Sequence, residues 1–252
     1  MDPNYSPMPQ KKQTSPWVWV GVGCAALVIF GIIAVLSVGY IAFRGVKGME
    51  EGFSNPAVRE QRTRALLPYR ELPAGYEPVG TMSIPFVMDL AILSDKDPDA
   101  PRETTRRQDS PRIGAHGFIY MRIRTFKPAA RTEMDRYLSG EGAPPPWFQT
   151  GNVRLNSHEL VGHGKLTVGD RQIAYSSRRG DIIVNGRKRE GLTTVMGINC
   201  PGSDRLHMAL WFGPDPAPGK PATAEELAGS SADPKAIADF LGHFDLCGGK
   251  GG

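Results

Sequence analysis

The sequence has little cysteine, no strong excess of either charge and none of the common catalytic motifs. Three cysteines in 252 residues exclude a disulfide-dense mini-protein and any zinc site built from four thiolates. A net charge of +4 is too small over this length to indicate nucleic-acid binding by itself. No Walker loop, EF-hand loop, CxxC pair or Gly-x-Ser-x-Gly elbow occurs. We therefore predict no cofactor, no nucleic-acid partner and no motif-based catalytic residue.

The sequence does have one long stretch without charge. Residues 17–43 contain no Asp, Glu, Lys or Arg, and a helix needs about 20 apolar residues to cross a bilayer. Trp17 and Tyr40 suit the two membrane interfaces, and a cleaved signal peptide would have a shorter apolar region. We predict a signal anchor that crosses the membrane once. Gly21 and Ala25 form a small-xxx-small pair, which makes a helix-mediated dimer possible.

The rest of the chain divides into four parts. Residues 1–16 carry four prolines and little apolar content, which predicts a disordered tail. Residues 44–72 read as a juxtamembrane connector with a short helix that ends before Pro68. Residues 73–247 read as a soluble domain, and residues 248–252 as a flexible Gly-rich tail.

The soluble domain is predicted to be α+β. Apolar residues alternate from Phe86 to Ile92 and from Leu206 to Phe212, which is typical of strands with a buried face. Dipeptides suited to turns start at Gly169, Gly180 and Asn185. A helix is predicted from the cap Thr132 to Gly140. The clearest helix is the last, with Asp233 as N-cap and Pro234 at its first position. We expect an antiparallel β-meander packed against this C-terminal helix.

The order of these elements, from Leu-Pro-Ala-Gly-Tyr at 72–76 to the closing helix, resembles the PsbP-like α/β/α fold. The segment LPAGYEPVGTMSIPFVMDLAILSD also resembles uncharacterised bacterial single-pass membrane proteins. The second resemblance implies a bacterial source and, together with the predicted anchor, a place in the bacterial plasma (inner) membrane. Because PsbP-like domains mostly serve as binding or assembly factors, the resemblance implies a binding role and assigns no catalytic residue.

Basic residues cluster beside two of the predicted hairpin turns. We predict that they form a cationic edge for anionic headgroups or an acidic partner. The alternative is a set of charged hairpin tips that discourage aggregation through the sheet edge. The residues concerned are Arg178, Arg179, Arg187, Lys188 and Arg189.

The segment His158-Glu-Leu-Val-Gly-His163 is similar to the zinc motif His-Glu-x-x-His but has one residue too many. Zinc proteases need both imidazoles on one helix face at i and i+4. A spacing of i+5 places the two rings far apart around a helix and on opposite faces of a strand. We therefore predict no metal site here.

Two cysteines, Cys200 and Cys247, lie in the predicted soluble domain. A bond between them would clamp the last helix to the sheet and would persist only in an oxidising compartment; the alternative is two unrelated buried thiols. Positive charges on the two sides of the anchor lean slightly towards a cytoplasmic domain. We give the cysteines more weight and predict a cytoplasmic N-terminus with an extracytoplasmic domain.

These features together predict a membrane-anchored, non-enzymatic binding or assembly domain. Its partners would be the bilayer, through residues 17–43, and a second protein. The alternative is a membrane-anchored hydrolase whose site is assembled from residues distant in sequence.

Overall fold

The computed structural model describes residues 55–95, 114–124, 128–145, 148, 153–184 and 187–248, apart from the side chains of Val153, His158, Val184 and Arg187. Its elements are α1 (Pro56–Leu66), β1 (Glu77–Ile84), β2 (Met88–Ser94), β3 (Gly117–Ile123), α2 (Pro128–Leu138), β4 (Val153–Val168), β5 (Arg171–Val184), β6 (Arg187–Ile198), β7 (Leu206–Gly213) and α3 (Pro234–Leu241).

The seven strands form one antiparallel sheet in the order β1-β2-β3-β7-β6-β5-β4. The sheet curves into a half-barrel, and with its three helices the described part of the chain is α+β. After the first meander, the chain passes through α2 to the far edge and returns strand by strand until β7 pairs with β3. The predicted antiparallel α+β domain with a closing helix is therefore confirmed.

Helices cover both faces of the sheet. Since successive residues of a strand point to opposite sides, neighbouring residues of one strand enter different cores. In β3, Phe118 and Tyr120 join the core under α1 and α3, whereas Ile119 and Met121 join the core under α2. Tyr120 is only 1 % exposed, although its alternation with apolar neighbours predicts an outward-facing residue. That prediction is wrong because it assumes a sheet with one covered face.

The closing helix forms as predicted. The Asp233 side chain accepts a hydrogen bond of 2.9 Å from the Lys235 N–H, which caps the helix, and Pro234 follows at the first position. The Phe240 ring stacks on Trp211 of β7 at a centroid distance of 4.4 Å. Its apolar stripe therefore holds α3 against the sheet.

Two turn and cap predictions are wrong. Gly180 and Asp181 do not form a turn, because both lie inside β5 and pair with β4 and β6. A Cβ atom on Gly180 would lie 2.3 Å from the Asn156 carbonyl oxygen. Glycine therefore allows the backbones of β4 and β5 to come close together at this position. Thr132 does not begin a helix, since α2 starts four residues earlier at Pro128.

The predicted pairing of Cys200 with Cys247 is present in the structure, with the two Cα atoms 5.5 Å apart. The bond joins the end of β6 to the segment that follows α3. Both cysteines lie at the core under α1 and α3. The disulfide therefore fixes the C-terminal segment to the sheet.

Part of the predicted connector packs into the domain. Leu66, Leu67 and Tyr69 are buried in the core under α3, and Tyr69 forms a β-bridge with Phe244. No helix among the described residues is long and apolar enough to span a membrane. The predicted anchor at 17–43, the tail at 1–16, the tail at 248–252 apart from Gly248, and the pair Gly21 and Ala25 lie outside those residues.

Candidate docking surface

The predicted cationic edge begins with Arg178 and Arg179, and the structure places these two residues inside the fold. Both lie within β5 and point to opposite faces of the sheet. Arg178 lies over the Tyr137 ring of α2 at 4.5 Å and donates to the Gly140 carbonyl. Arg179 pairs with the Asp215 carboxylate at 2.5 Å, and its side chain is 13 % exposed. The two guanidinium groups therefore hold loops and α2 against the sheet.

The other predicted cations are at the β5–β6 hairpin. Lys188 is 68 % exposed and pairs with Asp181 at 2.9 Å, which raises the pKa of the lysine. Arg189 is partly buried and also has an interaction partner. The backbone of Arg187 pairs with Val184 in the hairpin, and its side chain lies outside the described atoms. The structure thus does not bring the five predicted residues together as one surface.

The His158–His163 segment lies in β4, not in a helix. The backbone of the strand shifts register on both sides of Glu159. In the described part of the chain, no three His, Cys, Asp or Glu side chains group closely enough to hold a metal ion. The helical geometry of the zinc protease motif is therefore absent at these residues.

The most exposed large apolar side chain in the described residues is Phe86, at 79 %. It lies in the connection between β1 and β2, together with Ile84 at 38 % and Val87 at 44 %. Pro85 between them is exposed as well. We call residues 84–87 the β1–β2 tip. Because these four exposed apolar residues are neighbours at one end of the sheet, the tip is a candidate interaction site.

The β1–β2 tip is a tight turn with an unusual residue at its third position. The Val87 N–H donates to the Ile84 carbonyl at 3.1 Å, which closes a four-residue β-turn. Pro85 occupies the second position and Phe86 the third, with φ of 64°. This combination is typical of a type II turn, in which the third residue is normally glycine. A phenylalanine in this conformation costs of order 1–2 kcal/mol, so the turn holds its ring outward at a cost in stability.

Three arginines surround one carboxylate next to the tip. The Arg124, Arg122 and Arg205 guanidinium groups lie 3.2, 3.7 and 3.9 Å from the same Asp89 oxygen. The Arg124 backbone N–H donates to the Val87 carbonyl at 2.8 Å, which joins the group directly to the tip. We call these four residues the Asp89 arginine group.

The Asp89 arginine group carries an excess of positive charge. Three guanidinium groups and one carboxylate leave a net charge of +2 over the four residues. Burial alone would raise the pKa of Asp89, but hydrogen bonds from Ser83 and Arg124 and the arginine charges hold it below its usual 3.8. The carboxylate is therefore ionised at neutral pH. The excess positive charge is accessible to a partner, since the Arg124 side chain is 38 % exposed.

The alternation from Phe86 to Ile92 predicts a strand in which Phe86 shares one face with Met88, Leu90 and Ile92. That prediction is wrong, because β2 begins only at Met88. The signal that could have revealed the turn is Pro85, which cannot donate to a sheet ladder. The arginine group had no comparable signal, since its members lie on β2, on β3, just after β3 and just before β7, and they meet only through the strand register.

Comparisons of the chain with protein-family models, curated proteins and solved structures find no match. The site itself combines a rigid apolar projection with a cationic neighbour.

Proposed function

We propose that this protein is a membrane-anchored, extracytoplasmic binding domain that docks a partner protein through the β1–β2 tip. The observation that carries the proposal is Phe86, exposed and held outward by a closed turn. Aromatic residues and arginine are enriched at the energetic centres of protein interfaces. The partner surface would be an apolar pocket for the Phe86 ring, bordered by acidic side chains that face Arg124.

A protein pocket fits this tip better than a bilayer surface does. A rigid projection lowers the conformational cost of binding to a partner of fixed shape. A fluid bilayer would accept an apolar tip in any conformation and would not reward the strained backbone of Phe86. The positive φ of Phe86 is a cost that a shaped pocket can offset. The occupant that fits the tip is therefore a protein.

The extracytoplasmic location is supported by the disulfide between Cys200 and Cys247, since such bonds persist in oxidising compartments. Maleimide labelling of the full chain from native membranes, denatured without reductant, tests the location. We expect one labelled thiol, Cys24, and three after reduction. Three labelled thiols before reduction would place the domain in the cytoplasm.

Photo-crosslinking in native membranes tests the docking itself. The full chain carries p-benzoylphenylalanine in place of Phe86, and the matched control carries it in place of Leu160, an exposed apolar residue of β4 at the opposite edge of the sheet. We expect a protein adduct of discrete mass from position 86 but not from position 160. The same adduct from both positions, no adduct, or adducts to lipid alone from position 86 would overturn the proposal; the last result would indicate the bilayer as the occupant.

A further inference from the structure

A continuous chain of hydrogen bonds runs through the sheet end near the disulfide. The Tyr120 hydroxyl lies 2.5 Å from the Leu246 carbonyl oxygen and 2.8 Å from His207 Nδ1. His207 Nε2 lies 3.0 Å from Ser203 Oγ. The Arg205 backbone N–H in turn donates to Ser203 Oγ at 3.2 Å.

The directions of these hydrogen bonds are assigned from the Leu246 carbonyl oxygen, which can only accept. A carbonyl oxygen only accepts, so the single hydroxyl proton of Tyr120 goes to Leu246, and burial raises the pKa of Tyr120 and keeps that proton in place. Tyr120 must then accept from His207 Nδ1–H. His207 Nε2 is consequently left with a lone pair, and the Ser203 hydroxyl donates to it. This is the polarity in which a serine is activated by a histidine whose other nitrogen is held by an acceptor.

The serine is held in place by the backbone and the disulfide. The Ser203 N–H donates to the Cys200 carbonyl at 3.1 Å, and Gly202 between them has φ of 78°, so Ser203 ends a closed turn. Cys200 is bonded to Cys247, the residue after Leu246. The same disulfide therefore positions both ends of the hydrogen-bonded chain.

Ser203 borders a cavity of about 280 Å³ between α2 and the ends of β5 and β6. Its lining includes three cationic side chains, Arg131, Lys165 and Arg205, and one carboxylate, Asp135. A small substrate with a negative charge suits this lining. Next to Ser203 in this series of hydrogen bonds, His207 is only 5 % exposed. The base is therefore kept away from water while Ser203 borders the cavity.

We propose that Ser203 is a nucleophile, with His207 as its general base, that hydrolyses small esters carrying an anionic group. Ser203 Oγ would bond to the ester carbonyl carbon while its proton moves to His207 Nε2. Collapse of the tetrahedral intermediate would break the bond to the alcohol oxygen, which takes that proton from Nε2. Water would then attack the acyl-serine with His207 again as base, which releases the acid and restores Ser203. This activity goes beyond the docking function and depends on different residues, apart from Arg205, which borders both sites.

A fluorophosphonate probe tests the nucleophile directly on the full chain in detergent. Ser203 Oγ would bond to phosphorus, fluoride would leave, and the proton would pass to His207. Mass spectrometry should find the label on Ser203 at least tenfold above Ser139, an exposed serine whose Oγ donates only to the Arg136 carbonyl. We expect His207→Gln to lower the labelling rate about 100-fold. Equal labelling of Ser203 and Ser139, or none on Ser203, would overturn the proposal.

The pH profile of labelling keeps the test valid if His207→Gln fails to fold, since it uses the unchanged protein. Burial and the charges of Arg122 and Arg205 hold the pKa of His207 below 6.5, although the Leu246 carbonyl opposes them. The acids nearby are Asp89, which pairs with both arginines, and Asp245, which faces Tyr120. Labelling should therefore rise with pH to a plateau with its midpoint below 6.5. A pH-independent rate would contradict the role of His207 as base.

A substrate assay completes the test. The wild-type chain should hydrolyse an anionic p-nitrophenyl ester, such as the succinate half-ester, at least tenfold faster than Ser203→Ala. Its kcat/KM should also exceed that for the neutral acetate ester. Equal rates for wild type and Ser203→Ala would overturn the activity, and a preference for acetate would overturn the anionic substrate class.

Discussion

Two regions of this sheet are rich in arginine, and they differ in how their charges are matched. Arg179 in β5 pairs with two carboxylates, Asp215 at 2.5 Å and Glu159 at 2.6 Å. In the Asp89 arginine group the ratio is reversed, with three guanidinium groups around one carboxylate. The first region neutralises its cation, whereas the second leaves an accessible surplus beside an apolar tip.

The difference teaches that basic residues adjacent in sequence need not form a basic surface. Arg178 and Arg179 are neighbours in the chain, yet alternation along β5 sends them to opposite faces. Arg122 and Arg205 are far apart in the chain, yet the pairing of β3 with β7 brings them to one carboxylate. The surface charge is therefore a property of the strand register.

The largest expected effect is a loss of stability at Arg179, the arginine whose charge is matched by two carboxylates. Arg179→Ala removes the partner of Asp215, whose side chain is only 6 % exposed, and a buried carboxylate without its partner costs about 3 kcal/mol. Arg124→Ala should cost less than about 1 kcal/mol, because Arg124 is more exposed and Asp89 keeps two other arginines. Urea denaturation of both variants measures the difference. Equal losses of unfolding free energy would show that the two regions are not distinct.

An intermediate loss of unfolding free energy is expected from a change of Asp89, the single carboxylate of the Asp89 arginine group. Asp89→Asn should lower the unfolding free energy at pH 7 by about 1.5 kcal/mol, because it weakens charge-assisted hydrogen bonds and leaves three arginines close together. The pKa of Asp89 is depressed in the fold. The stabilisation is therefore fully present above the unfolded value near 3.9 and is lost as the pH falls through the folded value. Denaturation curves from pH 7 to 2.5 should show wild type and variant converging in acid; a constant difference would contradict this assignment.

The smallest effect on stability is expected at the tip. Phe86→Gly should change the unfolding free energy by less than about 1 kcal/mol, because relief of the positive φ is offset by the entropic cost of glycine and by loss of the interaction that the side chain makes. The same change should abolish crosslinking from a probe placed instead of Val87. A thermal melt reports the first effect and the adduct yield the second. A loss of more than about 2 kcal/mol would mean that Phe86 contributes to the fold as a buried core side chain does and is not held outward for a partner.

Local patterns in the sequence predicted what depends on local physics. The cap at Asp233 and the alternation from Leu206 to Phe212 each identified an element that the structure contains. The disulfide was predicted from the position of Cys200 and Cys247 beside elements expected to meet. The PsbP-like resemblance, the anchor and the binding role stay predictions.

The candidate site could not be predicted in the same way, since it depends on long-range pairing. Phe86 continues an apolar alternation, and only the turn at Pro85 removes it from the strand. Asp89 and Arg122 face each other because β2 pairs with β3 in one register, and a shift of one residue would separate them. The contact of Ser203 with His207 depends likewise on a turn closed next to a disulfide.

The most direct test of the account compares two single-charge changes, Arg124→Gln and Lys188→Gln. Each removes one positive charge, the first beside the tip and the second at the β5–β6 hairpin. In chains that carry the photoreactive residue at position 86, the account predicts that Arg124→Gln lowers the yield of the protein adduct about tenfold and that Lys188→Gln leaves it unchanged. An equal fall in both variants, a fall with Lys188→Gln alone, or no fall in either would contradict the claim that the cations assembled around Asp89 contribute to docking beside the β1–β2 tip.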